Sequence, residues 1–141
     1  VETPTTLVEA TDPRTYEKKT GDVSLIWPVK AESVAYVTGK ISGVAITGTE
    51  ANETVTAIRE GVVMYSGNYR GYGDVVFIKS TDNYIYMYSG LSSLSVEKGE
   101  NVNYKKEIGK SGTDSYSGKP VVNLMVYKND DPCDPAEVPR G

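Results

Sequence analysis

The sequence predicts an all-β domain built mainly from antiparallel strands, with few or no helices. Three observations carry this. From Val23 onward, apolar residues come in short runs of four to eight residues. The runs are rich in Val, Ile, Tyr and Thr, which suit a pleated, half-buried surface, and they are bounded by Gly, Asp, Asn and Ser. No long segment shows helical periodicity.

Taken in order, residues 1–22 are polar, charged and Thr-rich, with two prolines, and read as a linker or loosely docked arm that implies something before it in a longer protein. The strand candidates follow as SLIWPV, SVAYV, GVAIT, TVTAI, GVVMYSG, DVVFIKS, YIYMYSG, NVNY, EIGK and VVNLMVY. In Tyr84-Ile85-Tyr86-Met87-Tyr88 the tyrosines point one way, and Ile85 and Met87 the other. Thr81-Asp82-Asn83 lies between two strong candidates and reads as a hairpin turn. Gly71 and Gly73 flank Tyr72, where a tight loop needs positive φ or close backbone approach. Gly99 and Gly109 punctuate short strands around Val102 and Ile108. The organisation is then an arm over 1–22, a domain over 23–135, and a tail over 136–141 where the chain leaves the domain.

Composition removes several classes of function. The chain has 141 residues, no histidine, one cysteine and a net charge of −4. Without histidine there is no Ser-His or Cys-His nucleophile and no histidine-ligated zinc. A single cysteine forms no internal disulfide and no paired-cysteine zinc site. Any metal would be a hard ion held by oxygens. The negative charge argues against nucleic acid as a partner. No apolar run is long enough to span a membrane, and no signal peptide is visible.

Four stretches carry a family resemblance: GVVMYSGNYRGYGDVVFIK (61–79), YIYMYSGLS (84–92), VEKGENVNYKKEIGKSG (96–112) and GKPVVNLMVYKNDDPCDP (118–135). With Trp27-Pro28-Val29 as an opening W-P-V, they resemble in order and spacing the LytM/lysostaphin-type zinc metallopeptidases, metallopeptidase family twenty-three. That family's pattern runs G-x-V-x-Y-x-G, G-Y-G-N-x-V-x-I-x-H, Y-A-H-L-S, G-D-x-V-x-x-G-x-x-I-G-x-S-G and G-P-H-L-H-F-E-V-x-K-N-G-x-x-x-D-P. The resemblance covers roughly 23–135 and implies an antiparallel β-sheet or sandwich of the LytM type, whose strands frame a groove for an extended peptide. It also implies enzymes that cut the cross-bridges of bacterial cell wall.

The family's zinc ligands are an H-x-x-x-D motif and the second histidine of H-x-H, which leave an open position for water. Matched residue by residue, the H-x-x-x-D histidine and aspartate correspond to Ile41 and Ala45. The catalytic and ligand histidines of H-x-H correspond to Val121 and Asn123, and the histidine of Y-A-H-L-S to Gly90. Ser80 takes the histidine position after the GYG strand, and Met125 replaces the glutamate of H-F-E-V. The resemblance therefore implies a degenerate member with no catalytic residues, no metal and no cofactor. What it leaves is a binding, scaffold or regulatory module of a bacterial envelope protein, periplasmic or extracellular. The partner it implies is an envelope protein such as a cell-wall amidase; the alternative is a module that binds peptidoglycan or a host surface.

Six residues are candidates for a binding surface: Tyr69, Arg70, Tyr72, Tyr84, Tyr86 and Tyr88. Tyrosine offers area and a hydroxyl at low entropy cost, although it also packs sheets well. Asp114, Lys119, Asp130, Asp131, Asp134 and Cys133 are the other groups with chemical potential, and the acidic cluster lacks the spacing of a calcium loop.

Overall fold

The computed structural model describes residues 14–39, 43–69, 73–114 and 117–141. Among these residues eleven strands follow in chain order: β1 (Arg14–Thr20), β2 (Ala31–Gly39), β3 (Gly43–Gly48), β4 (Thr54–Thr56), β5 (Gly61–Tyr69), β6 (Gly73–Lys79), β7 (Tyr84–Leu94), β8 (Asn101–Val102), β9 (Glu107–Ser111), β10 (Val121–Lys128) and β11 (Asp131–Cys133). No helix occurs among the described residues. The strands join one sheet in the order β1-β2-β3-β10-β7-β6-β5-β8, with β11 on β10 and β9 bridging β7 and β4. Every pairing is antiparallel.

β10 is the central strand. β7 pairs along one of its edges, while β3 and then β11 share the other. Val121 to Val126 are all buried, which explains why VVNLMVY reads as a continuous apolar run: both faces are covered. Val122, Leu124 and Val126 enter the main core with Val44, Ile46, Ile78, Tyr86 and Tyr88. The alternate residues Val121 and Met125 form a second, smaller cluster with Val37 and Ala45 on the other face, flanked by Met87 and Tyr127.

The β6–β7 turn forms where the sequence predicts it. Asn83 adopts φ 69°, and its N–H donates to the Ser80 carbonyl at 3.2 Å. Gly73 has φ 74°, the left-handed backbone expected at the GYG loop.

Three expectations change. The segment over 1–22 is not only an arm, because Arg14–Thr20 pairs with β2 at the sheet's edge. A charged strand such as RTYEKKT suits an edge, where one side stays in water. SLIWPV is a turn-rich segment rather than a strand. Pro28 has no N–H for a ladder, and Trp27 instead anchors the segment by donating its indole N–H to the Asp22 carbonyl at 2.8 Å. The tail does not leave the domain. Val138 is buried, and the Pro139 carbonyl accepts the Tyr86 hydroxyl at 2.7 Å. Arg140 lies 4.8 Å from the Trp27 ring centre and donates Nε–H to the Ile26 carbonyl at 2.6 Å.

A candidate site at the crossing of three strands

Four of the positions that the family pattern singles out, Ala45, Gly90, Val121 and Asn123, meet on the face opposite the main core. Asn123 on β10 is the register partner of Ala45 on β3 and of Ser89 on β7. Period-two alternation places Val121 and Met125 beside Asn123 on the same face. Gly90 follows Ser89 with φ 82°, a left-handed conformation. A Cβ at Gly90 would stand 2.9 Å from the Val121 carbonyl oxygen and 3.6 Å from the Asn123 amide nitrogen. Residues distant in sequence, Ala45, Gly90, Val121 and Asn123, are therefore neighbours. Ile41 lies outside the described residues, as do Arg70 and Tyr72.

The chemistry of this place is apolar. Ala45 and Val121 are buried against Val37 and Met125 and carry no donor atom. Gly90 has no side chain, and the buried Asn123 offers only a neutral amide. Ser89 is buried with its hydroxyl oxygen lacking any hydrogen-bond partner among the described residues. It was missed in the sequence, although the period-two step from Met87 would have placed it on this face.

The tyrosine candidates separate into two groups. Tyr86 and Tyr88 are both 0% exposed, and Tyr84 packs against the same core. This corrects their assignment to a binding surface: the face they share is the inside of the fold. Tyr88 turns its hydroxyl inward, where the oxygen accepts the Ile58 N–H at 3.1 Å, and burial pushes its phenol well above the usual range. Tyr69 behaves otherwise. It is 46% exposed and clusters with Tyr65 and Phe77, with ring centres 6.0 and 5.7 Å away.

The remaining polar candidates have structural work. Ser80 donates to the Asp82 carboxylate, which also pairs with Arg59 at 2.8 Å. The Ser80 hydroxyl, with a smaller contribution from Arg59, holds the Asp82 carboxyl below its ordinary range. Asp134 accepts the Tyr36 hydroxyl at 2.6 Å and the Ala136 N–H at 2.9 Å, fixing the start of the tail. Asp114 accepts the Ser117 N–H at 3.0 Å in a turn. Asn129 and Asp130 both adopt positive φ in the β10–β11 turn. Cys133 is a half-buried free thiol. Among the described residues, no three His, Cys, Asp or Glu side chains gather where they would hold a metal ion.

With this geometry in place, comparison with known proteins decides the family. Residues 39–135 match the family model described as Peptidase family M23. The chain belongs to peptidase family M23. The M23 match spans β3 to β11 and includes Ala45, Gly90, Val121 and Asn123. The chain is 30% identical over 98 residues to outer membrane antigenic lipoprotein B of Histophilus somni, covering 67% of this chain and 29% of that protein. It is 30% identical over 116 residues to the murein hydrolase activator NlpD of Escherichia coli K12, covering 72% of this chain and 30% of that one. The chain thus spans less than a third of the length of either relative. The crystal structure of an M23 peptidase from Pseudomonas aeruginosa superposes with a TM-score of 0.68 at 27% identity, over 94% of this chain and 58% of that chain.

M23 peptidases of the LytM type imply a zinc ion. The residues brought together here do not fit one. A catalytic zinc takes three nitrogen, sulfur or carboxylate ligands. Ala45, Val121 and Gly90 provide none, and there is no histidine anywhere in the chain.

Proposed function

We propose that this chain is a non-catalytic M23 domain of a bacterial envelope protein, periplasmic or extracellular, that acts by binding and regulates a cell-wall hydrolase. The observation that carries this reading is the crossing of β3, β10 and β7. There four of the positions matched to the zinc and catalytic residues, Ala45, Val121, Gly90 and Asn123, converge in space yet present a methyl, an isopropyl, a bare backbone and an amide. A protein keeping the peptidase frame without its donors retains a shaped surface, not a hydrolytic one.

Two features support binding and regulation. Tyr69, Tyr65 and Phe77 form an aromatic cluster with its outer ring half in water, the composition that anchors protein interfaces. The Escherichia coli relative is a murein hydrolase activator by name, and the Histophilus somni relative is an outer membrane lipoprotein. The corresponding role for this chain is to engage a cell-wall amidase and raise its activity.

The test is reconstitution on purified sacculi. The chain alone should release no soluble fragments, with or without added zinc, whereas added to a cell-wall amidase from the same source it should raise fragment release. Tyr69→Ala should reduce that stimulation without changing the melting temperature. Chelator-sensitive release by the chain alone would overturn the reading.

A further inference from the structure

The turn between β3 and β4 carries a residue pattern that the fold does not require. Residues 50–54 read Glu-Ala-Asn-Glu-Thr. Of the seven asparagines in the chain, Asn52 alone has a hydroxyl residue two positions on, and no proline lies between. Asparagine itself has a structural reason to be there, since Asn52 adopts φ 57°, a left-handed conformation that this residue type tolerates. Asn83 and Asn129 take left-handed turn positions as well, at φ 69° and 51°, yet the residues two further on are Ile85 and Asp131. Turn geometry therefore accounts for the asparagine but not for Thr54.

We propose that Asn52 is the acceptor for an N-linked oligosaccharide, transferred from a polyprenyl-diphosphate donor by a membrane oligosaccharyltransferase. The assignment rests on the envelope location proposed above, because such donors present their glycans on the outer side of the cytoplasmic membrane. In the transfer, Asn52 Nδ2 bonds to the anomeric carbon of the first sugar. The bond from that carbon to the diphosphate oxygen breaks, its electron pair leaves with the polyprenyl diphosphate, and one amide proton passes to solvent. An amide nitrogen is a weak nucleophile, its lone pair being delocalised into the carbonyl, so the transferase supplies the activation. The chain has to supply access and register.

The turn supplies both. Residues 49–52 are exposed, and so is Thr54. Ser92 donates its hydroxyl to Asn52 Oδ1 at 3.2 Å, which leaves Nδ2, the reacting atom, without a hydrogen-bond partner among the described residues. The Thr54 hydroxyl accepts from the exposed Lys110 ammonium at 2.8 Å, a surface contact that a docking enzyme displaces at little cost. The backbone is anchored on either side, by Gly48 N–H to the Pro120 carbonyl and by Ser111 N–H to the Glu53 carbonyl, both at 2.9 Å. Between these anchors, no backbone hydrogen bond among the described residues ties 49–52 to another element. The loop is thus free to enter a transferase cleft while the sheet stays folded. Glu50 sets an exposed carboxylate two residues ahead of the acceptor, where a cationic side chain of the transferase can grip it. A glycan on Nδ2 projects from the turn into solvent and displaces no core side chain.

Intact-mass spectrometry on two samples tests the assignment. The folded chain, incubated with a bacterial oligosaccharyltransferase and a polyprenyl-diphosphate-linked oligosaccharide, should gain the mass of one glycan. The chain isolated from the envelope of its source cell should carry one glycan on the tryptic peptide 41–59. Asn52→Gln and Thr54→Val should each abolish the addition, Thr54→Ser should keep it, and Glu50→Gln should slow it several-fold. These variants should keep the circular dichroism spectrum of the unaltered chain, because the three side chains are exposed. Asn52→Gln should leave amidase stimulation by the unglycosylated chain unchanged, so failure here is separable from failure of the regulatory reading. A bare Asn52 in either sample, an addition that survives Asn52→Gln, or indifference to Thr54→Val or to Glu50→Gln would each overturn the proposal.

Discussion

Asn123 on β10 lies directly across from Ala45 on β3, as register partners in the middle of the sheet. Two metal ligands could meet at such a pair, and an amide and a methyl meet there instead. Around the pair, Ala45 and Val121 pack with Val37 and Met125 into a small apolar cluster, while the buried Ser89 hydroxyl beside Asn123 lacks a hydrogen-bond partner among the described residues.

Restoring one donor should restore no metal affinity. Asn123→His places an imidazole opposite Ala45 and beside Val121, neither of which has a donor atom. Competition with a chromophoric zinc chelator should show no binding above that of the unaltered chain. Tight stoichiometric zinc in this single variant would mean that other ligands converge on the site.

Ala45→Asp should destabilise the fold. The Ala45 side chain is buried among apolar groups, and a carboxylate there loses hydration without a cation to replace it. The expected cost is about 3 kcal/mol, read as a lower urea midpoint with an unchanged slope. Combining it with Asn123→His should recover part of the loss if the imidazolium and carboxylate pair across the strands.

Gly90→Ala should cost about 1–3 kcal/mol, because the left-handed backbone disfavours a Cβ and the Val121 carbonyl crowds it at 2.9 Å. Gly99→Ala provides a comparison: its φ is 91°, but nothing lies within 4 Å of its Cβ position. Thermal unfolding should show the larger loss at Gly90, the difference measuring the close approach to β10.

Buried tyrosine should make the protein alkali-sensitive. Burial raises the phenol of both Tyr86 and Tyr88 in the folded state. Below the unfolded value near 10 both states hold the proton, and the contribution to stability is complete. Above it the unfolded chain releases protons that the folded chain keeps, so stability falls as pH rises, by up to about 1.4 kcal/mol per unit for each such group. Tyrosinate absorbance should rise in two steps, the second coinciding with loss of the fold. Tyr88→Phe should reduce this sensitivity but lower stability at neutral pH by about 1–3 kcal/mol, since the buried Ile58 N–H loses its acceptor.

Much of the fold was legible in the chain because strands leave local marks. Each run from SVAYV to VVNLMVY overlaps an observed strand, TVTAI and NVNY only over Thr54–Thr56 and Asn101–Val102, and Thr81-Asp82-Asn83 makes the expected turn. β1 was hidden because an edge strand need not alternate strongly or be apolar. The return of the tail was hidden because the prolines that bar it from a ladder do not prevent its carbonyls from accepting, as Pro139 does from Tyr86.

By itself the sequence determined the all-β character of the domain and the lack of histidine, which no arrangement of the chain restores. It also determined that Tyr84, Tyr86 and Tyr88 share a face. Only the tertiary structure decided which face that was. Alternation divides a strand into two sides, but in a sheet buried on both sides near β10 the inside is chosen by what packs above and below. The same packing turned three tyrosines inward, left Tyr69 half in water, and joined Ala45, Gly90, Val121 and Asn123 at one crossing.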